Sequence, residues 1–184
     1  QVSNSHDAFE KLQKRSFDLI ITMLNIGDVN AIDLAKRIKE TYPSKPIIVL
    51  TPISTRETMI KLRNTDLSSI DYIFSWQGNP NILLAMVKLI EDRMNVAYDV
   101  NTVGVQTVVL VEDSVRYYSS YLPMIYRTLF RQARCLMTEG LNEWQQTMRM
   151  RGRPKIMLAR TYEEAVQLYN TYKHNLLGII SDIT

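Results

Sequence analysis

Residues 108–114 read VVLVEDS, a run of four apolar residues that leads straight into two neighbouring carboxylates, Glu112 and Asp113. A short, continuous apolar run is typical of a strand that is buried on both faces of a parallel sheet. Two like charges at the end of such a strand repel each other unless one takes up a proton or a cation binds between them. The stretch therefore predicts a buried parallel strand whose carboxyl end carries a polar site.

The rest of the chain alternates short apolar runs with amphipathic segments. The predicted strands read FDLIITML, KPIIVLT, IDYIFS, QTVVLVEDS, KIMLAR and LLGIISDIT. The predicted helices read SHDAFEKLQKR, AIDLAKRIKETY, STRETMIKLRN, NPNILLAMVKLIEDRMN, the long stretch over residues 115–152, and TYEEAVQLYNTYKHN. Strands that alternate with helices are typical of right-handed βαβ units, so the sequence predicts an α/β fold with a doubly wound parallel sheet.

Two segments share one pattern of a capped helix, a short link and a buried strand. They are SHDAFEKLQKRSFDLIITML, residues 5–24, and TYEEAVQLYNTYKHNLLGIISDI, residues 161–183. At the end of the strand, Met23 in the first segment corresponds to Asp182 in the second. The repeat therefore predicts two related units. They differ at the residue that ends the strand, where the ligands of a parallel sheet bind.

Carboxylates end two of the predicted strands. Glu112 and Asp113 end one, and Asp182 ends another. Ligands of a doubly wound sheet bind at the carboxyl ends of its strands, so neighbouring strands would bring these three side chains together. A small, acidic, all-oxygen site suits Mg²⁺, which could then hold a phosphoryl group against Asp182. We therefore expect Glu112, Asp113 and Asp182 to be metal ligands.

At these positions the sequence resembles the receiver domains of two-component response regulators. In those domains one strand ends in paired acids and a later strand ends in the phosphoacceptor aspartate, as VVLVEDS and GIISDIT do here. The resemblance implies a flavodoxin-like receiver fold, Glu112 and Asp113 as the metal-binding pair, and Asp182 as the phosphoacceptor. It also implies Mg²⁺ as cofactor and a histidine kinase or a small phosphodonor as partner.

The first unit resembles a degenerate receiver. FDLIITMLNIGDVNAIDLAKRI resembles the third strand, loop and third helix of a receiver, with Met23 in the acceptor place. Thr51 stands where receivers keep a phosphate-sensing hydroxyl, and Ser75 and Trp76 stand where they keep a lysine. The resemblance therefore implies a pseudo-receiver that cannot be phosphorylated.

A further resemblance covers most of the chain. VEDSVRYYSSYLPMIY, RMRGRPKIMLARTYEEA and LLGIISDIT resemble the receiver-like N-terminal region of phosphoenolpyruvate synthase or pyruvate phosphate dikinase-like proteins. Their catalytic modules lie further downstream, so the resemblance implies a regulatory segment that serves downstream domains of the same chain. We expect that the segment itself is not an enzyme. Whether the parent protein transfers phosphoryl groups to or from pyruvate stays open.

Both units are expected to be incomplete. Residues 1–100 would lack the first strand of a receiver, and residues 101–184 would end after the third. An open parallel edge is a template for pairing, so we expect QTVVLVED and LLGIISD to meet KPIIVLT, within one chain or between chains. Thr51 would then face Asp182, in a compact single unit or a homo-oligomer.

Bulk composition narrows the classes of function. The net charge of +3 makes nucleic acid an unlikely default partner, and a single cysteine, Cys135, suits a reducing cytoplasm. No apolar run approaches the roughly 20 residues that span a membrane. Two alternatives to a phosphorylatable module stay open. One is a purely structural or protein-interaction module with decayed receiver chemistry, and the other is a Mg²⁺-dependent phosphohydrolase.

The sequence pattern favours a structural role for several side chains. Met23 reads as core filler, and the tyrosines of the long helical stretch follow a packing pattern. A basic cluster near the end of that stretch reads as a solvated face favoured by the helix dipole. Its members are Arg149, Arg151, Arg153 and Lys155.

Overall fold

The chain is seen in a computed structural model that describes residues 2–26, 29–52, 66–135 and 152–182. Its helices are α1 (Ser5–Lys14), α2 (Ala31–Thr41), α3 (Asn81–Tyr98), α4 (Val115–Cys135) and α5 (Tyr162–Tyr172). Its strands are β1 (Ile20–Met23), β2 (Asn25–Ile26), β3 (Val29–Asn30), β4 (Ile47–Pro52), β5 (Tyr72–Trp76), β6 (Thr107–Val111), β7 (Lys155–Ala159) and β8 (Leu176–Ser181). The helix expected over residues 54–64 lies outside the described residues.

Two compact units divide the chain, residues 1–79 and residues 80–184. The boundary lies before α3, earlier than the expected division after residue 100. The reason is that α3 packs against α4 and β7, which both belong to the second unit. A π-helical turn, Asp99–Val103, continues α3 and ends at Gly104, whose φ of 73° lies in the left-handed region that suits glycine.

The first unit contains a parallel sheet in the order β1-β4-β5. The central strand, β4, is buried along nearly its whole length, as its continuous apolar sequence predicts. In the register of the sheet, Met23 pairs with Leu50 and Thr51 pairs with Ser75. Between β1 and α2, the short strands β2 and β3 form an antiparallel pair.

The prediction that FDLIITML is a strand buried on both faces is wrong. The strand is only β1, and the side chains of Ile21 and Met23 are 39% and 49% exposed. Among the described residues β1 pairs with β4 alone, so it is an edge strand. A cavity of about 560 Å³ lies beside it, lined by residues of α1, β1 and α2. Met23 is therefore not core filler.

The second unit contains a parallel sheet in the order β7-β6-β8. The strand predicted from VVLV is confirmed: β6 lies in the centre, and Val109 and Leu110 are buried. The pairing expected between the two units within one chain is not found among the described residues, because β6 pairs with β7 and β8 while β4 pairs with β1 and β5. Pairing between chains stays a prediction. Thr51 and Asp182 accordingly belong to different sheets.

Helix starts follow the capping signals of the sequence. The Asn4 side chain accepts a hydrogen bond from the backbone N–H of Asp7 and caps α1, one residue before the serine that the pattern favours. The Thr161 hydroxyl accepts from the N–H of Glu164 at 3.2 Å, as the capping-box spacing predicts. Among the described helices, none combines the length and apolarity that crossing a membrane requires.

A buried carboxylate joins three elements of the second unit. Asp92 on α3 is fully buried, and its two oxygens accept hydrogen bonds from the guanidinium of Arg153 at 2.7 and 2.9 Å. The Tyr126 hydroxyl on α4 and the backbone N–H of Ile156 on β7 also donate to it, each at 3.0 Å. Asp92 therefore fastens α3 to both α4 and β7.

The prediction of a solvated basic face is wrong for the two members of the cluster that the structure describes. Arg153 and Lys155 are buried, and Lys155 forms an ion pair with Asp99 at 2.6 Å. Arg149 and Arg151 lie outside the described residues. Burial by itself lowers the pKa of Arg153, but the hydrogen bonds and the charge of Asp92 outweigh it and raise that pKa above its ordinary value.

Replacing Asp92 should destabilise the second unit far more than replacing its neighbour. Asp92→Ala leaves the Arg153 guanidinium buried without a counter-charge, which costs about 3–5 kcal/mol of unfolding free energy. The matched control is Glu91→Ala, which removes a partly exposed pair with Lys88 and should cost less than about 1 kcal/mol. Urea unfolding followed by circular dichroism measures both, and equal losses would contradict the role given to Asp92.

Candidate functional site

The candidate site lies at the carboxyl edge of the second sheet. In the parallel register of β6 and β8, Val111 pairs with Ser181. Glu112 and Asp182 each directly follow one of these two residues. The expectation that the two acidic strand ends are neighbours is therefore confirmed for the backbone.

The Glu112 side chain is turned into the protein. It is only 3% exposed, and its carboxylate accepts a hydrogen bond from the backbone N–H of Ser114 at 2.9 Å. The backbone N–H of Glu112 donates to the carbonyl of Ala159 at 2.9 Å and so continues the pairing of β6 with β7. Glu112 thus fixes the turn between β6 and α4, where a carboxylate is also favoured by the helix dipole.

Asp113 and Asp182 face solvent instead. At the end of β8 the Ser181 hydroxyl donates a hydrogen bond to the backbone carbonyl of Asp182 at 3.0 Å. This bond does not involve the Asp182 side chain. Within the described ranges no three His, Cys, Asp or Glu side chains are gathered closely enough to hold a metal ion. The strand ends are thus adjacent, but the three carboxylates do not form a ready-made cluster.

The donor chemistry at this edge nevertheless fits Mg²⁺. Magnesium in proteins keeps several waters and takes one or two carboxylates together with phosphate oxygens. Asp113 and Asp182 supply two exposed carboxylates on neighbouring strand ends. These two residues fit as direct ligands, whereas Glu112 is committed to the Ser114 N–H.

Among the residues of the first unit that the structure describes, the equivalent edge carries no such pair of acids. Met23 ends β1 with its side chain half exposed, and Thr51 and Ser75 are buried neighbours on β4 and β5. The Thr51 hydroxyl donates to the backbone carbonyl of Pro52 at 3.2 Å. Trp76 is partly exposed at the end of β5. The residues at the three strand ends are therefore apolar or hydroxyl-bearing, as the sequence predicts.

The main polar feature that sequence reasoning missed is the bonded group around Asp92. A signal for it was present, because Asp92 falls on the same helical stripe as Leu89 and Val96, and both are buried. An acid within an apolar stripe needs a buried partner. The sequence could have indicated that a cation was required, although not that Arg153 supplies it.

Part of the chain is similar to one family of known proteins. The sequence model of the response regulator receiver domain matches residues 1–88. The transcriptional regulatory protein ZraR of Klebsiella oxytoca is 27% identical over 71 residues, 39% of this chain and 16% of that protein. ZraR of Salmonella typhimurium is 27% identical over 70 residues, 38% of this chain and 15% of that protein. The chain therefore spans about a sixth of the length of these relatives.

The match runs through the first unit and into the first turns of α3. This part of the chain is similar to receiver domains, which supports an α/β fold of the flavodoxin-like kind and a signal-receiving role in two-component systems. The match ends before β6. The second receiver, its acidic residues and the resemblance to phosphoenolpyruvate synthase therefore stay predictions.

The two neighbouring acids should differ in their effect on stability. Glu112→Ala leaves the Ser114 N–H without its acceptor and should lower the free energy of unfolding by about 1 kcal/mol. Asp113→Ala is the matched control, because its side chain is exposed, and it should change the free energy by less than about 0.5 kcal/mol. Urea unfolding of both variants is the measurement. A larger loss in the Asp113 variant would contradict this assignment.

Proposed function

We propose that the second unit is a signal receiver that accepts a phosphoryl group on Asp182. The observation that carries the proposal is the register of β6 and β8, which ends the two strands side by side. Asp182 is exposed there, so a phosphodonor in solution can reach its carboxylate. Asp113 is exposed on the neighbouring strand end, and Glu112 holds the turn that carries Asp113.

Each residue of the site has a separate task in this proposal. The Asp182 carboxylate attacks the phosphorus of the donor, so that a P–O bond to Asp182 forms as the bond to the leaving group breaks. Asp113 and Asp182 would hold Mg²⁺, and the bound ion would neutralise negative charge on the phosphoryl group during its transfer. Glu112 contributes to the metal-binding set by orienting Asp113 through the turn at Ser114. No catalytic turnover is assigned to the fragment.

The first unit acts in this proposal as a pseudo-receiver. Met23 stands at the end of β1, and a thioether is no nucleophile for phosphoryl transfer. Thr51 has a buried hydroxyl that is bonded to the backbone, so a phosphate-sensing role would require it to give up that bond. The task left to this unit is packing or docking through its surfaces.

A second candidate is a protein-interaction module whose receiver chemistry has decayed. Two observations favour it: the carboxylates are not gathered into a metal-binding group, and Glu112 is engaged with the backbone. This candidate predicts neither Mg²⁺ binding nor phosphorylation. The two experiments below therefore separate it from the receiver proposal.

The setting of the receiver is also a proposal. A histidine kinase or a small phosphodonor would supply the phosphoryl group, in the cytoplasm, and downstream domains of the same chain would take up the signal. The parent would be similar to phosphoenolpyruvate synthase or pyruvate phosphate dikinase, as the stretches around Glu112 and Asp182 suggest. Open edges such as β1 would support homo-oligomers.

Mg²⁺ affinity tests the metal ligands. The parent protein should bind Mg²⁺, and Asp113→Ala should weaken binding by about tenfold or more, because it removes one of two direct ligands. Glu163→Ala removes an exposed carboxylate elsewhere in the second unit and should leave the affinity unchanged. Isothermal titration calorimetry measures all three proteins. An equal affinity for Mg²⁺ in the Asp113 variant and the control would contradict the proposed ligand set.

Treatment with acetyl phosphate and Mg²⁺ tests the acceptor. Mass spectrometry should find a phosphoryl adduct at Asp182 that hydroxylamine removes, as expected of an acyl phosphate. Asp182→Asn should abolish it, because an amide does not attack phosphorus in this way. Met23→Asp should gain no adduct, since the described strand ends of the first unit carry no neighbouring acid pair. An adduct anywhere in residues 1–100 of the parent protein would show that the pseudo-receiver assignment is wrong.

A further inference from the structure

Helix α4 has an unusual charge composition. Its 21 residues include four arginines, Arg116, Arg127, Arg131 and Arg134, and no acidic residue. Their summed charge exceeds the net charge of +3 of the whole chain. The excess positive charge of the protein is therefore concentrated on one element of the second unit.

The four arginines lie on one side of α4. An α-helix turns by about 100° per residue, so these positions fall within an arc of about 60°. This arc borders the buried Pro123 and lies about 80° or more from the buried Leu122 and Tyr126. All four side chains are exposed. We call this surface, formed by Arg116, Arg127, Arg131 and Arg134, the arginine face.

The stability of the helix does not explain the arginine face. The dipole favours cations only in the last turn, which accounts for Arg134 but opposes Arg116 in the first turn. Arg127 and Arg131 are four residues apart, and like charges at that spacing destabilise a helix. Among the described residues, none forms an ion pair with Arg127, Arg131 or Arg134. A solvated face usually mixes both signs, and this one does not.

Two large apolar side chains border the arginine face. Met124 is 61% exposed and Tyr117 is 48% exposed, and Tyr117 stacks on Tyr121 with ring centroids 6.1 Å apart. Arginine, tyrosine and methionine are the residues enriched where proteins bind other proteins. Neutralising a phosphate backbone is an electrostatic task, so the apolar neighbours of the arginines favour a protein partner.

We propose that the arginine face binds an acidic helix of a partner protein. Arg127, Arg131 and Arg134 follow i, i+4, i+7 spacing and span about 10 Å along the axis, which matches carboxylates on two turns of a facing helix. Their guanidinium groups can form bidentate hydrogen bonds with carboxylates. Met124 and Tyr117 bury apolar side chains of the same partner. The proposal is independent of phosphorylation at Asp182.

Binding to a designed peptide tests this surface. The probe is a fluorescein-labelled helical peptide with glutamates at i, i+4 and i+7 and leucines beside them, and the control peptide carries glutamine in place of glutamate. The parent protein should bind the acidic peptide at low ionic strength, more weakly as salt is added. The triple variant Arg127→Gln, Arg131→Gln, Arg134→Gln should bind it at least about tenfold more weakly.

The matched control changes the same charge elsewhere. Lys14→Gln, Arg15→Gln, Lys173→Gln alters three exposed cations outside α4, and it should bind the acidic peptide within about twofold of the parent. Equal weakening in both triple variants, or no binding by the parent, would overturn the proposal. So would tighter binding to duplex DNA or to phosphatidylserine vesicles than to the peptide. A fall in unfolding free energy confined to the α4 variant would show that the arginines serve the fold.

Discussion

The second unit depends on a charge that the protein has taken out of water. A carboxylate as deeply buried as that of Asp92 is tolerated only when its oxygens are hydrogen-bonded and its charge is compensated. Arg153 supplies the compensation with two hydrogen bonds, and its guanidinium also lies over the Tyr126 ring at 5.4 Å from the centroid. Because these groups come from α3, α4 and the start of β7, the pair fixes the relative positions of three elements.

This interaction also explains where the chain divides. In sequence order, α3 follows the last strand of the first sheet and would be counted with it, and the receiver-domain match indeed continues into its first turns. The buried face of α3 is nevertheless satisfied within the second unit, where Asp92 finds its donors and where Lys155 joins Asp99 in the turn that follows. Sequence similarity and packing therefore divide the chain at different points. The two criteria differ here by one helix.

Local features of the fold could be predicted from the sequence, and long-range ones could not. The apolar run of β6 and the capping residues around Thr161 act within a few positions, so their pattern is visible in the chain. Among the described residues β1 has one neighbouring strand, β4, and the apolar composition of β1 does not reveal this edge position. The burial of Arg153 is not visible in its local sequence, because its partner Asp92 is 61 residues away. At the candidate site, the register of β6 and β8 was predictable from the fold class, but the side-chain directions of the two neighbouring acids were not.

Those directions resolve the conflict of two like charges at the end of a buried strand. Consecutive residues of an extended chain point to opposite sides, and Glu112 and Asp113 accordingly enter different surroundings. Glu112 is buried and stabilised by the backbone N–H of Ser114, while Asp113 remains in water, where its charge is well solvated. The two charges therefore lie in different surroundings, and the expectation that a cation binds at this strand end stays a prediction. Asp113 lies exposed two residues after the end of β6, and the neighbouring strand β8 ends directly before Asp182. The acid that holds the turn and the acid that faces solvent are thus separate residues.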